Sequence, residues 1–285
     1  MKHRTTLVWG GAVILLLGFC LITPGHAQDK ALMVGVDGTF APHAMPKMGG
    51  GVEGFNVDLA YEIGKRMGRK VEIVAQEFSG LIPGLNAGKF DFLAAPTTVL
   101  KDRAENLLFS EGYLETDYQF VIPANKSEIK VLEDLKGKVL AVNKGSNYDQ
   151  WARENEAKYG FKSESYGTNT DAVQAVLAGR ADANLVGHTV AAFAVKRNPQ
   201  ALKLSYKIKS GTVWAIPLRK DDVQGRKAVD QAIECIKLDG TMSKLAEKWF
   251  GVKPASDSPA VIVFAGYGVP GMPGYDPTEH KPVCK

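Results

Sequence analysis

Residues 54–59 read Gly-Phe-Asn-Val-Asp-Leu, and residues 77–85 read Glu-Phe-Ser-Gly-Leu-Ile-Pro-Gly-Leu. The first run opens a segment, Asn56 to Met67, whose apolar residues recur at helical spacing. The second predicts a helix around Leu81 to Ala87 that ends at Gly88. Short apolar runs beside these helices predict strands at residues 31–36, 71–74 and 90–95. Because strands and helices alternate, the sequence favours an α/β unit with a largely parallel sheet.

A second series of elements begins at Tyr118. Its pattern predicts strands at 118–122, 139–142 and 183–186, and helices at 146–159 and 171–177. Past Ser210, the pattern predicts a strand at 213–218 and helices at 223–238 and 241–250. These last elements are expected to return the chain to the first unit. We therefore predict two α/β units joined by two chain crossings, near residues 120–124 and 210–216.

The N-terminus has the features of an export signal. Lys2 and Arg4 precede an apolar run from Leu7 to Ile22, and small residues stand at Gly25 and Ala27. A membrane anchor would need about 20 apolar residues without helix breakers, whereas this run is shorter. The sequence therefore predicts a signal peptide over residues 1–27, cleavage after Ala27 and a mature protein in the periplasm.

Charge and composition exclude several classes of partner. The net charge of +4 includes the two positive charges of the leader, and the remainder is spread without blocks of Lys or Arg. We predict no nucleic-acid binding. His43, His188 and His280 lie far apart in sequence, so we predict no metal site and no cofactor. The two mature cysteines, Cys235 and Cys284, are expected to form a disulfide in an oxidising compartment.

Five motifs occur in an order that resembles the periplasmic solute-binding proteins of family 3, the polar amino-acid uptake type, which have a type II periplasmic binding fold. They lie at residues 54–59, 78–85, 103–110, 137–146 and 178–183, and the resemblance continues to Phe250. It implies an α/β protein of two lobes, each a mainly parallel sheet flanked by helices, with a two-strand hinge. Lobe 1 would comprise residues 28–121 and 216–251, and lobe 2 residues 122–215.

The resemblance also implies a function. A monomer would capture one small carboxylate, an amino acid or a related compound, between its lobes and deliver it to a membrane ABC permease. Members of the family usually have no catalytic chemistry, so we predict that the protein is not an enzyme. Two alternatives stay open. One is a binding module that serves a sensor or a periplasmic dehydrogenase, and the other is an enzyme that resembles cyclohexadienyl dehydratase, with Asp37 as general acid.

The predicted ligand contacts start from Arg103, which matches the arginine with which the family holds a ligand carboxylate. A guanidinium presents two parallel donors to the two oxygens. Across the cleft, Ser146 follows Gly145 at a predicted helix start, where a hydroxyl and free amides hold an anion. The resemblance also implies that the Thr98 hydroxyl bonds to the ligand, that aromatic side chains cover the apolar part of the ligand, and that an acidic residue binds the cation of basic ligands. The further predicted contacts are the aromatic Phe40 and Phe78, the acidic Asp37, the polar Asn143 and Asn147, and Pro96 and Thr97.

One position departs from the family. Members of the family usually carry a second aspartate five residues after the one that corresponds to Asp182, and this second aspartate pairs with the ligand's α-ammonium. In this sequence the position five residues after Asp182 is Gly187, and His188 follows it. A buried ammonium without its partner costs roughly 3 to 5 kcal/mol. Three explanations remain open: Asp37 binds the ligand's nitrogen, the ligand lacks an α-ammonium, or the alignment with the family is shifted by one residue. Gly187 and His188 are kept as candidate contacts.

Residues 252–285 extend past the usual end of the family and are rich in Gly and Pro. Such a composition favours extended, irregular structure. We predict a strap tied to lobe 1 through Cys235 and Cys284, and we keep a partner-docking surface as the alternative.

Overall fold

The computed structural model describes residues 1, 3 and 30–284 of the 285-residue chain. Apart from residues 1 and 3, the predicted signal peptide lies outside the described residues, and so does its cleavage site. Within the described part, no helix is both long enough and apolar enough to cross a membrane.

The strands, in chain order, are β1 Leu32–Val36, β2 Met45–Pro46, β3 Val52–Glu53, β4 Val71–Ala75, β5 Phe92–Leu93, β6 Thr97–Thr98, β7 Leu107–Phe109, β8 Leu114–Pro123, β9 Val139–Asn143, β10 Lys162–Tyr166, β11 Ala183–Gly187, β12 Leu202–Ala215 and β13 Pro217–Arg219. The helices are α1 Phe55–Arg66, α2 Phe78–Asn86, α3 Lys101–Asn106, α4 Asn147–Tyr159, α5 Asn169–Leu177, α6 His188–Arg197, α7 Val223–Leu238 and α8 Thr241–Phe250, with a 3-10 turn at Leu132–Leu135.

The first sheet is parallel, with β1 in the centre between β4 and β5. Helix α1 covers it with an apolar face that includes Leu59 and Ile63, both fully buried. Gly54, the residue just before α1, has a φ of +149°, and a Cβ there would lie 2.3 Å from the carbonyl oxygen of His43. Only glycine fits this close approach, because every other residue carries that Cβ. We call the body around this sheet lobe 1.

The second sheet has six strands in the order β10-β9-β11-β8-β12-β6, and we call the body around it lobe 2. Strand β9 is parallel to β10 and β11, but β8 and β12 are antiparallel to their neighbours. The α/β fold class is confirmed, while this sheet is mixed rather than mainly parallel. The reason is that β8 and β12 run in opposite directions as the chain leaves lobe 1 and returns to it.

These two long strands make the two-strand connection between the lobes. They pair from Leu114 with Trp214 at one end to Pro123 with Leu202 at the other. Residues 118–121 of β8 already pair with β11 of lobe 2. The lobe limits of the sequence analysis stay predictions, and this pairing favours a first crossing a few residues before the expected position near 120.

The C-terminal helices return to lobe 1, where α7 and α8 both pack against α1. Asp58, from the first run quoted above, accepts hydrogen bonds from the Trp249 indole at 2.8 Å and from the Lys248 ammonium at 2.7 Å. Residues 54–59 at the start of α1 are therefore hydrogen-bonded to α8, the last helix.

The extension after α8 is irregular, apart from an isolated β-bridge between Tyr267 and Asp276. The predicted disulfide is confirmed: Cys235 on α7 is bonded to Cys284, with their Cα atoms 5.4 Å apart. A buried cluster of charged side chains also joins the extension to lobe 1. Lys237, whose side chain is 0% exposed, lies 2.8 Å from the Glu111 carboxylate.

Lys237 also donates hydrogen bonds to the carbonyl oxygens of Gly112, at 2.7 Å, and Ile262, at 3.0 Å. The Glu111 carboxylate accepts a bond from the backbone N–H of Phe264 at 2.9 Å. Asp230 of α7 accepts one from Gly268 at 2.7 Å. These carboxylates and ammonium of lobe 1 thus satisfy backbone groups of the extension, which would otherwise lack partners in an irregular segment.

Candidate functional site

A site forms where strands of the two lobes end close together. Asp37 directly follows β1, Asn143 ends β9, and Gly187 ends β11. The carboxyl ends of strands in open α/β sheets are where such proteins bind ligands. Several residues predicted from the sequence meet at this edge.

Arg103 lies in the gap between the lobes. Its guanidinium, carried on α3, donates hydrogen bonds of 3.3 Å to the carbonyl oxygen of Thr98 in lobe 1 and to that of Gly145 in lobe 2. The guanidinium carbon also lies 5.9 Å from the centre of the Phe78 ring. The residue is half-buried. A cation held here by two neutral carbonyls is available to an anion that enters between the lobes.

Ser146 caps α4, and its hydroxyl accepts a hydrogen bond of 3.2 Å from the backbone N–H of Asp149. The Asp149 carboxylate in turn accepts the N–H of Gly145 at 2.8 Å. Ser146 therefore has the capping role expected at a helix start. Its contact with a ligand stays a prediction, since part of the amide cradle at this helix is already used by Asp149.

A small cavity between the lobes, with a volume of ≈ 10 Å³, is lined by residues of both. Seven of the lining residues are among the predicted contacts, and Tyr148 completes the set: Asp37, Phe40, Phe78, Pro96, Asn143, Ser146 and Asn147. Among these described residues, Asp37 is the one that carries a charge. The cavity thus combines aromatic walls with a few polar groups, as small-molecule sites commonly do.

Asp37 is 2% exposed. Its carboxylate accepts hydrogen bonds from the backbone N–H of Thr39 at 3.0 Å, the Thr39 hydroxyl at 2.7 Å and the side-chain amide of Asn143 at 3.0 Å. Burial raises the pKa of Asp37, and these hydrogen bonds partly oppose that effect. Sequence reasoning missed Thr39, although a hydroxyl two residues after an aspartate is a common turn signal.

Three buried polar atoms of the site have no hydrogen-bond partner among the described residues: Thr98 Oγ1, Asn143 Oδ1 and Asn147 Nδ2. A buried polar group left without a partner costs about 1 to 3 kcal/mol. A hydroxyl that can donate or accept, an amide oxygen that accepts and an amide N–H that donates are therefore available to a polar ligand.

Five predicted contacts lie outside the cavity lining: Thr97, Thr98, Arg103, Gly187 and His188. The Thr97 hydroxyl donates to the carbonyl oxygen of Ala95 at 2.9 Å. His188, the first residue of α6, lines a separate pocket of ≈ 620 Å³ with Trp249, Phe250 and the start of the extension. Burial lowers the pKa of His188, so its imidazole is neutral near pH 7. The helix that starts at residue 188 directs this ring away from the predicted site.

Gly187 is packed against aromatic side chains. A Cβ at this position would lie 2.7 Å from Cζ2 of Trp214 and 2.7 Å from the Tyr148 hydroxyl. Trp214 is 1% exposed and meets the ring of Phe40 edge-on, with centroids 6.4 Å apart. Sequence reasoning missed Trp214, because no periodicity connects it with residue 187 or residue 40.

Further polar contacts join the lobes near the cavity. His43 of lobe 1 lies 2.8 Å from the hydroxyl of Thr189 on α6, and its other ring nitrogen lies 2.8 Å from the Asn56 side-chain oxygen. Burial lowers the pKa of His43 to about 3. The neutral ring therefore donates to Asn56 and accepts the Thr189 hydroxyl. The described structure is a closed arrangement of the two lobes.

Two α/β bodies joined by two long strands, with a cavity between them that combines aromatic walls with a few polar groups, define a two-lobed solute-binding protein. A family model described as bacterial extracellular solute-binding proteins, family 3, matches residues 32–252. The chain belongs to this family, as its motifs predicted.

Similar proteins include the L-cystine-binding protein TcyJ of Escherichia coli (strain K12), which is 31% identical over 79% of this chain and 84% of its own length. An ancestral arginine-binding protein, solved with arginine, is 35% identical, with a TM-score of 0.75 over 79% of this chain and 100% of that one. An ancestral amino acid-binding protein, described as a precursor of cyclohexadienyl dehydratase, is 32% identical, with a TM-score of 0.72 over 77% of this chain and 95% of that one.

Proposed function

We propose that this protein is the periplasmic substrate-binding component of an ABC importer. It captures a small carboxylate, an amino acid or a related compound, when its two lobes close. The observation that carries the proposal is Arg103, whose guanidinium spans the gap from the Thr98 carbonyl oxygen of lobe 1 to the Gly145 carbonyl oxygen of lobe 2.

The guanidinium of Arg103 is expected to exchange its two carbonyl partners for a ligand carboxylate. Both hydrogen bonds are 3.3 Å long and end on neutral oxygens. A ligand carboxylate offers two charged acceptors in the spacing of a guanidinium fork, and such charge-assisted bonds are about twice as strong as neutral ones. A carboxylate bound here therefore links α3 of lobe 1 with the loop before α4 of lobe 2.

Closure follows from where the ligand contacts lie. The cavity has Asp37 and Phe40 on one wall and Asn143 and Asn147 on the other. A ligand that touches both walls stabilises the closed form to the extent that it binds that form better than the open one. The importer then distinguishes loaded from empty protein by shape. The amino-acid ligands and periplasmic location of similar proteins support this proposal.

The test is a thermal-shift and calorimetric screen of the exported protein against amino acids and their deaminated acids. A ligand that binds only the folded form raises its melting temperature. We expect at least one carboxylate to bind, and Arg103→Gln to abolish binding without loss of folding. Arg180→Gln, at an exposed arginine, is the matched control and should bind normally. Binding that survives Arg103→Gln, or a panel without any ligand, would overturn the proposal.

A second candidate is a dehydratase, and one observation favours it: Asp37 is a buried acid in the cavity, and burial raises its pKa. A protonated acid beside a leaving hydroxyl is what such a reaction needs. Against it, the three donors around Asp37 favour the ionised form. The test is turnover of a cyclohexadienyl acid, which should be absent in the purified protein and equally absent in Asp37→Asn.

A further inference from the structure

We propose that the cleft selects carboxylic acids whose cationic group is remote from the carboxylate, such as ω-amino and ω-guanidino acids, over the corresponding α-amino acids. The inference rests on the proposed function, because it assumes that Arg103 holds the ligand carboxylate. It is carried by two further features: the aromatic surroundings of Gly187 and the acceptors around Asp37.

An α-ammonium would have to be bound close to the carboxylate of the same ligand. In an α-amino acid the nitrogen lies about 2.5 Å from the carboxyl carbon, from standard bond lengths. Its acceptor must therefore lie close to Arg103. The groups around Arg103 are the carbonyl oxygens of Thr98 and Gly145, the Phe78 ring and the phenols of Tyr118 and Tyr148.

None of those groups is anionic at neutral pH. The acid next in sequence, Asp102, is exposed and accepts the backbone N–H of Arg103 at 2.7 Å. The other carboxylate near this point is Asp149, which accepts the N–H of Gly145 at 2.8 Å and is already paired with Arg153 and bonded to the Ser165 hydroxyl. An α-ammonium bound beside Arg103 would therefore find its free acceptors in carbonyl oxygens, aromatic rings and the Thr98 hydroxyl.

The end of β11 provides no acid either. A Cβ at Gly187 would be 2.7 Å from both Trp214 and Tyr148, so these two side chains already occupy the space that an acidic residue would need. Trp214 is held by edge-on contacts with Phe40 and with His43, whose centroids lie 6.4 Å and 4.8 Å from its own. The wall is therefore built as an aromatic surface rather than as a place for a cation's counter-charge.

The acid of the cavity is at Asp37, and an unused acceptor stands beside it. The amide nitrogen of Asn143 bonds to Asp37 Oδ2 at 3.0 Å, whereas Asn143 Oδ1 is buried and has no partner among the described residues. No Lys, Arg or His of the described chain lies within 4.0 Å of the Asp37 carboxylate.

Buried carboxylates are normally paired. A ligand ammonium or guanidinium that donates to Asp37 Oδ2 and Asn143 Oδ1 would pair this acid and satisfy the free amide oxygen together. Phe40, Phe78 and Pro96 line the same cavity and suit a methylene chain. The ligand class that matches these features has a carboxylate at one end, an apolar linker, and a cation at the other end.

The experiment uses matched pairs that differ only in the α-amino group. Isothermal calorimetry on the exported protein compares 6-aminohexanoate with lysine, 5-aminopentanoate with ornithine, and 5-guanidinopentanoate with arginine. We expect at least one deaminated member to bind tenfold or more tightly than its α-amino partner. Asp37→Asn should weaken that binding at least tenfold, while Asp221→Asn, at an exposed aspartate, should not change it.

The outcomes separate the two proposals. Equal or tighter binding of the α-amino partners overturns the inference and leaves the proposed function standing. Hexanoate binding as tightly as 6-aminohexanoate overturns the cation site at Asp37. Binding by no member of either series, and by no other carboxylate of the screen, overturns the proposed function itself.

Discussion

The side-chain amide of Asn143 in lobe 2 donates a 3.0 Å hydrogen bond to the buried carboxylate of Asp37 in lobe 1. This bond crosses the cleft and fixes one wall of the cavity against the other. It depends on the closed arrangement, since the two residues lie on different lobes.

Asn143→Ala is expected to weaken ligand binding by roughly tenfold or more. A hydrogen bond to a charged group contributes about 1.5 to 3 kcal/mol, and its loss makes closure less favourable. Calorimetric affinity is the measurement. Asn155→Ala, which removes a hydrogen bond to Trp151 on the surface of α4, is the control. Unchanged affinity in Asn143→Ala would show that the bond has no part in closure.

Thr189→Val should shift the protein towards the open form. The substitution removes the hydroxyl that donates to His43 across the lobes at 2.8 Å, and it leaves a buried ring nitrogen without a partner. Small-angle scattering should give a larger radius of gyration for the variant. A double-mutant cycle with His43→Leu isolates the pair. Additive effects in that cycle would contradict the contact.

Lys237→Met is expected to destabilise the protein by roughly 3 to 5 kcal/mol, because it leaves the buried Glu111 carboxylate without its cation. Urea unfolding measures the change. Lys227→Met is the control, since that ammonium is partly exposed and pairs with Asp276 at the surface; its cost should stay below about 1 kcal/mol. A loss of similar size in both variants would contradict a special role for Lys237.

The acidic residues of the same cluster predict a pH dependence. Burial, together with the nearby charge of Glu111, raises the pKa of Asp230 and of Glu234 to about 7. Each group binds its proton more tightly in the folded state than in the unfolded one. Its contribution to the free energy of unfolding is therefore full below pH 4 and falls as the pH rises to about 7.

Glu234→Gln removes one of these groups, so the stability of the wild type relative to the variant should fall between pH 4 and pH 7. Chemical unfolding at several pH values measures this difference. Gln keeps the size of the side chain and its contact with the imidazole of His280, 2.8 Å away in the wild type. A difference that does not change with pH would refute the raised pKa.

The structure changes how the role of the extension must be tested. Deleting residues 252–285 would remove Ile262, Phe264 and Gly268, which bond to Lys237, Glu111 and Asp230. Loss of function after such a deletion would report the stability of lobe 1. A docking role is better examined by substituting exposed residues of the extension, such as Val283 and Ile262.

Much of the fold could be predicted from local pattern. Helices α7 and α8 have the predicted limits, because each combines a clear amphipathic period with a signal at its start: Asp222 caps α7, and Gly240 precedes α8. Helix α6 was not predicted. Gly187 offers it no side-chain cap, and its alanine-rich sequence has little amphipathic contrast.

The candidate site could be predicted only in part. Seven of the cavity residues were recognised from their places in motifs, but five other predicted contacts, Thr97, Thr98, Arg103, Gly187 and His188, are not in the lining. Which residues line a cavity depends on side-chain direction. The significance of Gly187 depends on Trp214 and Tyr148, which are brought to it by β12 and α4. Such contacts between distant segments leave no local period in a sequence.

The ammonium of Lys237 links three segments that are far apart in the chain. They are α7 itself, residues 111–112 just before strand β8, and residue 262 in the extension. The family match ends at residue 252. A chimera that trims this protein to the length of that match, or grafts its cleft onto a shorter relative, would lose the partners that residue 262 and its neighbours give to this cluster. Such a chimera must therefore also replace Glu111 and Lys237 by residues that need no hydrogen-bond partner from the extension.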